Sequence, residues 1–353
     1  MTRCGEKNRE KLMSQSVTRR LALAAAFSIP FAGLAGLSHA NEPRSYVLTT
    51  AGTGGTYYPV GVALATLAKI HLQNAHGIDM SAISSAGSGE NTVLMRENQA
   101  QFAIMQGLFG QWAREGTGAL EESGPQENMR SIAMLWPNVE HFLLHSSLTE
   151  TGTASDMANL TGKGYSIGAR NSGTEHSNKF LFDNFGFDYE SWDLVYQGFG
   201  PSIDTLINGG IMGVNINSGI GVGTVTRARA QMGDNISLLS VTDEELAAFD
   251  GGTGLYFHIT IPGGTYPGLD DDIVTIAQPN FLAVNADVPE EDVYLFTKTI
   301  YENLGFVCNI HPATCDMSLD NAMAGLPLPL HAGAARFYEE AGLSIPDNIA
   351  PAE

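Results

Sequence analysis

The sequence predicts an α/β protein with two lobes and a ligand cleft between them. Three observations lead there. Strand-like and helix-like patterns alternate along the chain, glycine or Ser/Asn clusters stand at the strand-to-helix turns, and the rhythm of the first half starts again near Asp156.

Taken in order, YVLTT from Tyr46 reads as a strand, VGVALATLAKIHL as an apolar helix and IDMSAISSAG as a second strand. A helix is expected from about Glu90 and a third strand at FAIMQ. SIAMLW and HFLLHSS supply two more strands on either side of Asn138. The second unit opens with a short helix at Asp156, followed by the strand YSIGA, the loop RNSGTE, a helix from His176 to Phe185, the strand DLVYQ and a helix into Leu206. Glycine and proline thicken between Gly251 and Gly268, after which IVTIAQPNFLAVN reads as two short strands returning to the first unit. Helical stretches from Asp292 to Leu304 and from Ala332 to Ala341 close the chain. The expected organisation is a first lobe of residues 41–138 with 279–353, and a second lobe of residues 139–278.

Residues 1–40 read as a cleavable signal peptide. Arg3, Lys7, Arg9, Lys11, Arg19 and Arg20 form a basic region, Leu21 to Leu37 is an apolar run broken by Pro30, Gly33 and Gly36, and Ser38-His39-Ala40 fits a small-x-small cleavage site. Cleavage is expected before Asn41, which makes the protein periplasmic. A retained anchor is the alternative, although the run is short for a membrane helix. The context of Arg19-Arg20 does not separate the two bacterial export routes.

Without residues 1–40, which hold six Lys/Arg and two Asp/Glu, the chain carries 12 basic against 36 acidic side chains, a net charge of −24 over 313 residues. A phosphate backbone would be repelled, so nucleic acid and anionic membranes are poor partners. Two cysteines remain, Cys308 and Cys315, in VCNIHPATC. In an oxidising compartment a local disulfide is the favoured reading. A metal site built from Cys308, His311 and Cys315 is the alternative, and it has only three candidate ligands.

The stretch TTAGTGGTYYPVG, Thr49 to Gly61, is a glycine-rich loop between a strand and a helix. It lacks the lysine of a phosphate-binding P-loop, and Tyr57 stands where a dinucleotide fingerprint needs its third glycine. No cofactor is expected. What remains is general physics: backbone N–H groups at a helix N-terminus attract an anion, by about 0.3–1 kcal/mol and up to ~2 kcal/mol when partly buried. Ser88-Gly89-Glu90-Asn91 and Ser172-Gly173-Thr174-Glu175 repeat the arrangement. Singly each is an ordinary helix cap; jointly, facing one cleft, they describe a site for a small anionic solute. Arg170, beside the last loop and one of few cations, is the candidate for a bidentate contact to a carboxylate, with pairing to Glu175 or solvent as its alternative. Tyr57 and Tyr58 are candidates to cover the ligand.

Catalysis finds no constellation. Gly164-Tyr165-Ser166-Ile167-Gly168 matches the G-x-S-x-G nucleophile elbow, but its serine lies inside a strand-like run and the helix comes only after RNSGT. No HExxH occurs and the carboxylates are scattered, so neither a catalytic residue nor a metal ligand set is assigned and the chain is expected not to be an enzyme.

From GTGGTYYPVG through SAGSGENTVLMRENQAQFAIMQ, GYSIGARNSGTE and PGGTYPGLDDDIVTIAQPN to PLPLHAGAARFYEEAG, the chain resembles the TAXI-type solute-binding proteins of tripartite ATP-independent periplasmic (TRAP) transporters. The resemblance implies a type II periplasmic-binding-protein fold, two α/β lobes joined by hinge strands. It implies capture of a small carboxylate-containing solute, a 2-oxoacid, dicarboxylate or glutamate-like amino acid, and delivery to TRAP membrane permease subunits. A monomer is the expected working form. Carried over by position, the ligand loops fall on Gly54, Gly55, Thr56, Tyr57 and Tyr58, on Ser88 to Asn91, on Gln106, and on Asn171, Ser172, Gly173 and Thr174. Two departures stand out. The family often has an acid shortly after the glutamine, where this chain reads Gln106-Gly107-Leu108-Phe109, and often reads G-x-I-D-A where this chain has Gly209-Gly210-Ile211-Met212-Gly213. Both remove partners for a ligand ammonium and favour an acid without an amine. An exported solute sensor that presents its ligand to a signalling receptor is the competing function.

Overall fold

The alternation read from the sequence closes into one large sheet. The computed structural model describes residues 42–351, so the expected signal peptide lies outside the described residues. The chain runs β1 (Arg44–Thr49), α1 (Tyr57–His71), a single-turn α2 (Gln73–His76), β2 (Ile78–Ile83), α3 (Ser88–Arg96), β3 (Phe102–Gln106) and α4 (Gly107–Glu115). A long β4 (Met129–His145) leads to β5 (Gly164–Ser166), α5 (Gly173–Phe185), β6 (Asp193–Val195), α6 (Phe199–Ile207), β7 (Gly213–Ser218) and α7 (Gly223–Met232). Then follow β8 (Ile236–Leu238), α8 (Asp243–Asp250), β9 (Phe257–Ile261), β10 (Ile273–Asn285), α9 (Glu290–Glu302), α10 (Leu304–Ile310) and α11 (Ala332–Glu340).

The strand order is β2-β1-β3-β10-β4-β7-β5-β6, with β8 paired to β4 and β9 to β10. At each end of the sheet the strands are parallel and joined through helices, the signature of βαβ units. In the middle, β10 runs antiparallel to β3 and β4, and β4 antiparallel to β7.

Where the sequence suggested two pairs of short strands, the structure has two continuous ones. β4 runs through Pro137 and β10 through Pro279, and the two prolines face each other in the antiparallel register. A proline cannot donate to a ladder. Opposing the two concentrates both missing donors on one rung, so neither strand has to end there. Other boundaries differ at element ends. The short helix expected at Asp156 is a 3₁₀ stretch over Ala154–Leu160, and the stretch after Asp292 divides into α9 and α10.

The apolar cores show how the long strands are used. One cluster holds Leu48, Leu64, Phe102, Trp136, Phe281, Phe296 and Tyr338. A second packs Val139, Val214, Ile216, Val225 and Ala277, and a third Phe142, Tyr165, Phe182, Phe249 and Ile276. The last two lie on opposite faces of the same strands, as side-chain alternation along β4 and β10 requires. Each large buried side chain contributes about 1.5–3 kcal/mol. β4 therefore leaves one core at Trp136 and enters the next at Val139, and β10 does the reverse between Ala277 and Phe281. The result is two lobes joined by crossing strands.

Cys308 and Cys315 form a disulfide. His311, between them, places Nε2 3.2 Å from the Thr56 hydroxyl and accepts from the Ala313 N–H on Nδ1. The serine of the G-x-S-x-G match ends β5, buried, with its hydroxyl 2.7 Å from that of Ser202.

Candidate functional site

The loop after β1 brings Gly54, Gly55 and Thr56 to the mouth of α1. Tyr57, the first residue of that helix, turns its buried ring edge-on to Trp136 at 5.8 Å and donates its hydroxyl to Asn280 Oδ1 on β10. Its phenol is thereby anchored to a hinge strand while its body borders the cavity. Tyr58 is half-buried and lies outside the lining.

The loop after β2 is braced from below. Asn91 in α3 accepts from the hydroxyls of Thr49 at 2.7 Å and Ser85 at 2.6 Å, and donates to the carbonyls of Thr50 and Ile104. Its hydrogen-bonding capacity is filled by the protein, so Asn91 shapes the loop and does not line the cavity. Ser88 lines it, and its hydroxyl also accepts the backbone N–H of Gln106 at 3.1 Å.

In the second lobe, Ser172 caps α5 by accepting from the Glu175 N–H at 3.0 Å, and the Glu175 carboxylate returns to the Asn171 N–H at 2.7 Å. Asn171 takes a left-handed φ of 58°. That turn aims its carbonyl across the cleft to the N–H of Glu90, 3.1 Å away. Gly89 is required there, because a Cβ would run into the Asn171 carbonyl. Arg170 is exposed and holds its guanidinium over the Tyr196 ring at 3.8 Å, outside the cavity lining.

These loops line a cavity of about 100 Å³ between the lobes. Of the residues proposed from sequence, Gly54, Gly55, Thr56, Tyr57, Ser88, Gln106, Ser172, Gly173 and Thr174 come together on its wall. Tyr58, Asn91, Arg170 and Asn171 do not. Contact across the cleft is direct: the Thr56 hydroxyl lies 2.9 Å from that of Ser218 and accepts the Gly219 N–H at 3.1 Å, and Thr224 donates to the Gly54 carbonyl at 3.2 Å. Gln106, at the end of β3, is buried, and its Oε1 has no hydrogen-bond partner. Residues at the starts of α1, α3, α5 and α6, together with Gln106, the N-cap of α4, line this space, and helix N-termini are sites where anions are favoured.

A model of the NMT1-like family matches residues 48–342. The chain belongs to the NMT1-like family. Solved structures similar to it include PhnD1 from Prochlorococcus marinus in complex with methylphosphonate, at 13% identity over 77% of this chain and 92% of that one, TM-score 0.49. The alkanesulfonate-binding protein SsuA from Xanthomonas axonopodis pv. citri bound to MOPS is 12% identical over 85% of each chain, TM-score 0.42. An amino acid ABC transporter substrate-binding protein from Streptococcus pneumoniae bound to L-arginine is 12% identical over 77% of this chain and 94% of that one, TM-score 0.42.

Beneath the cavity, this NMT1-like chain carries a polar layer on one face of its crossing strands. Asn138 faces Gln278 and Glu140 faces Asn217 in register. Glu140 is fully buried, and its Oε2 accepts from Asn215 Nδ2 at 2.6 Å. Burial pushes its carboxyl up to about 8, against the smaller opposing effect of the Asn215 hydrogen bond. On the opposite face of β4, burial lowers His141 to about 4, so its ring is neutral; Nδ1 lies 2.8 Å from the Ile216 carbonyl and Nε2 2.8 Å from the Tyr266 hydroxyl.

Sequence reasoning missed the contribution of β7 and α6. Asn217 and Ser218 line the cavity from the end of β7, and Phe199 from the start of α6. Asn217 accepts from the Thr174 hydroxyl at 2.6 Å and donates to Ser177 at 2.8 Å, tying β7 to the mouth of α5. The available signal was NINSG, a strand that turns polar just before a glycine turn.

Proposed function

We propose that this NMT1-like protein is an extracytoplasmic solute-binding protein of the TAXI type, which captures a small carboxylate-containing solute between two lobes and delivers it to TRAP permease subunits. The lobes would be residues 41–138 with 279–353 and residues 139–278, and residues 1–40 a cleaved signal peptide. The carrying observation is the cavity lined by the starts of helices from both lobes, with direct contacts across it. Such ends supply hydrogen-bond donors and a partial positive charge to a carboxylate while leaving both lobes free to separate. A lobe-spanning ligand shifts the population toward the closed arrangement by its differential affinity for that state. The TRAP assignment rests on the five sequence blocks that resemble TAXI proteins.

A thermal-shift screen of small carboxylates on the exported form, followed by calorimetry, tests the capture. Stabilisation by a carboxylate at micromolar concentration is expected, since a ligand that binds only the folded state stabilises it by mass action. A flat response across 2-oxoacids, dicarboxylates and amino acids would refute it. Co-purification with multi-span TRAP permease subunits tests the delivery.

A further inference from the structure

Glu140 sits one strand pairing away from the solute cavity. It is fully buried on β4 and faces Asn217 in register, and Asn217 lines the cavity. Asn215 Nδ2 donates to its Oε2, while Oε1 has no hydrogen-bond partner, and among the described residues no cation pairs with the carboxylate. The other groups around it are neutral: Asn215 and Asn217 from β7, Gln278 from β10, and the phenols of Tyr57, Tyr165 and Tyr256, all kept protonated by burial. Tyr57 lines the cavity, and the charge of an ionised Glu140 reaches it.

A polar strip leads from the cavity to this carboxyl. Gln106 on the wall faces Asn280, Asn280 faces Trp136, and Asn138 follows two residues along β4 on the same face as Glu140. Gln106 Oε1, Asn280 Nδ2, Trp136 Nε1 and both amide atoms of Asn138 are buried without partners in the protein. Polar groups of this kind are the ones that ordered water bridges, so the strip offers a proton from solvent a route to Glu140. It is polar but uncharged, and nothing in it compensates the carboxylate once that proton leaves.

We infer that Glu140 is a proton site coupled to the solute site, so that the protein binds an anionic solute together with one proton and holds the solute less tightly once that proton is lost to solvent. This rests on the capture of an anion proposed above and adds a second, coupled site to it. The coupling is electrostatic. Two like charges about 10 Å apart at an effective dielectric constant of about 20 disfavour each other roughly 15-fold, and salt screens a buried pair little. The sign is fixed: neutral Glu140 leaves the anion undisturbed, ionised Glu140 repels it, and by reciprocity the bound anion makes Glu140 harder to ionise.

Calorimetry with pyruvate, 2-oxoglutarate and succinate, whose carboxylates stay ionised from pH 7 to pH 9.5, reads this directly. Burial holds Glu140 up to about 8, whereas His311 beside Thr56 and His141 across β4 are pushed down and stay neutral over that range. Affinity for whichever of the three binds should be at least about threefold weaker at pH 9.5 than at pH 7. At pH 8.5 binding should take up about 0.3–0.7 of a proton, read from the heats in two buffers of different ionisation enthalpy. A smaller change in affinity, or binding without proton uptake, overturns the coupling and leaves capture standing. Glu140→Gln should abolish the uptake and bind equally well at both pH values; pH dependence retained in that folded variant overturns the role of Glu140, and the uptake measured on the unmutated protein is an independent reading should the variant not fold. Binding by glutamate alone would make Glu140 the counter-charge of an ammonium and overturn the coupling with capture intact. No binding by any of the four overturns both.

Discussion

Thr56 at the mouth of α1 and Ser218 at the end of β7 place their hydroxyl oxygens 2.9 Å apart across the cleft. The same Thr56 hydroxyl accepts the Gly219 N–H and faces His311 Nε2. One side chain thus joins the two lobes and the segment held by the disulfide. Thr56→Val keeps the shape and removes the hydroxyl, leaving a buried N–H without its acceptor. The closed arrangement should lose about 1–3 kcal/mol, which is roughly a 5- to 150-fold loss of solute affinity. Stopped-flow and calorimetry should show the change in the dissociation rate. Unchanged affinity with a lowered melting temperature would make the contact part of the fold only.

Gly173 sits where a Cβ would lie 2.5 Å from Gln106 Oε1 and 3.0 Å from Ser88 Oγ. Gly173→Ala adds only a methyl group to the start of α5, but it does so inside the closed cleft. Solute affinity is expected to fall by at least about tenfold while the melting temperature without solute changes by only a few degrees. Full affinity in this variant would place the solute away from the α5 N-terminus.

Arg170→Gln should leave affinity within about threefold, because the guanidinium rests on Tyr196 at the surface rather than in the cavity. The lost cation–π contact is worth about 0.5–1 kcal/mol at an exposed site, so a small drop in melting temperature is the expected sign of the change. A tenfold or greater loss of affinity would return Arg170 to the solute.

Glu140 gives the protein a pH-dependent stability with a definite sign. Its folded pKa is raised to about 8 from an ordinary carboxyl value of 4.5, so between those values the folded state holds a proton that the unfolded state has released. Stability contributed through this group therefore falls as pH rises from about 4.5 to 8, by up to about 1.4 kcal/mol per pH unit, and is level outside that window. Glu140→Gln keeps the size and the Asn215 hydrogen bond without the titration. Denaturant melts of the two proteins at pH 5 and pH 8 should show the variant gaining relative stability at pH 8. Parallel curves would mean that Glu140 titrates normally.

The Cys308–Cys315 disulfide closes a short loop, for which the chain-entropy account gives roughly 2.5 kcal/mol. The purified protein should present no free thiol until reduced, and reduction should lower the melting temperature. Because the loop positions His311 against Thr56, solute affinity should weaken too. Titratable thiols together with stoichiometric zinc in the untreated protein would contradict the pairing.

Much of this protein is written in local pattern. The βαβ rhythm, the glycine turns, the helix cap at Ser172 and the exclusion of G-x-S-x-G as a catalytic elbow all depend on residues within a few positions of one another, whereas Ser88, read as a cap, begins α3 without capping it and turns its hydroxyl to the Gln106 N–H instead. The structure places those features where local physics puts them, because a cap or a turn is decided by its own hydrogen bonds. Pairing across the chain is another matter. That Pro137 and Pro279 would share one rung, and so let β4 and β10 run unbroken between cores, depends on two segments about 140 residues apart, and neither segment alone distinguishes it from two short strands. The same holds for the cavity wall. Nothing near Arg170 in sequence shows Tyr196 waiting for its guanidinium, and nothing near Asn91 shows four partners already filling its amide. Asn217 and Ser218 look like ordinary strand-end residues until β7 is laid beside β4 and brought up to α5 and α1. The sequence by itself determined which loops could offer N–H groups to an anion, because that follows from local backbone geometry. Only the tertiary structure decided which side chains remain unpaired to meet a solute and which are consumed by the protein, because hydrogen-bond capacity is shared among groups that come together only when the chain folds.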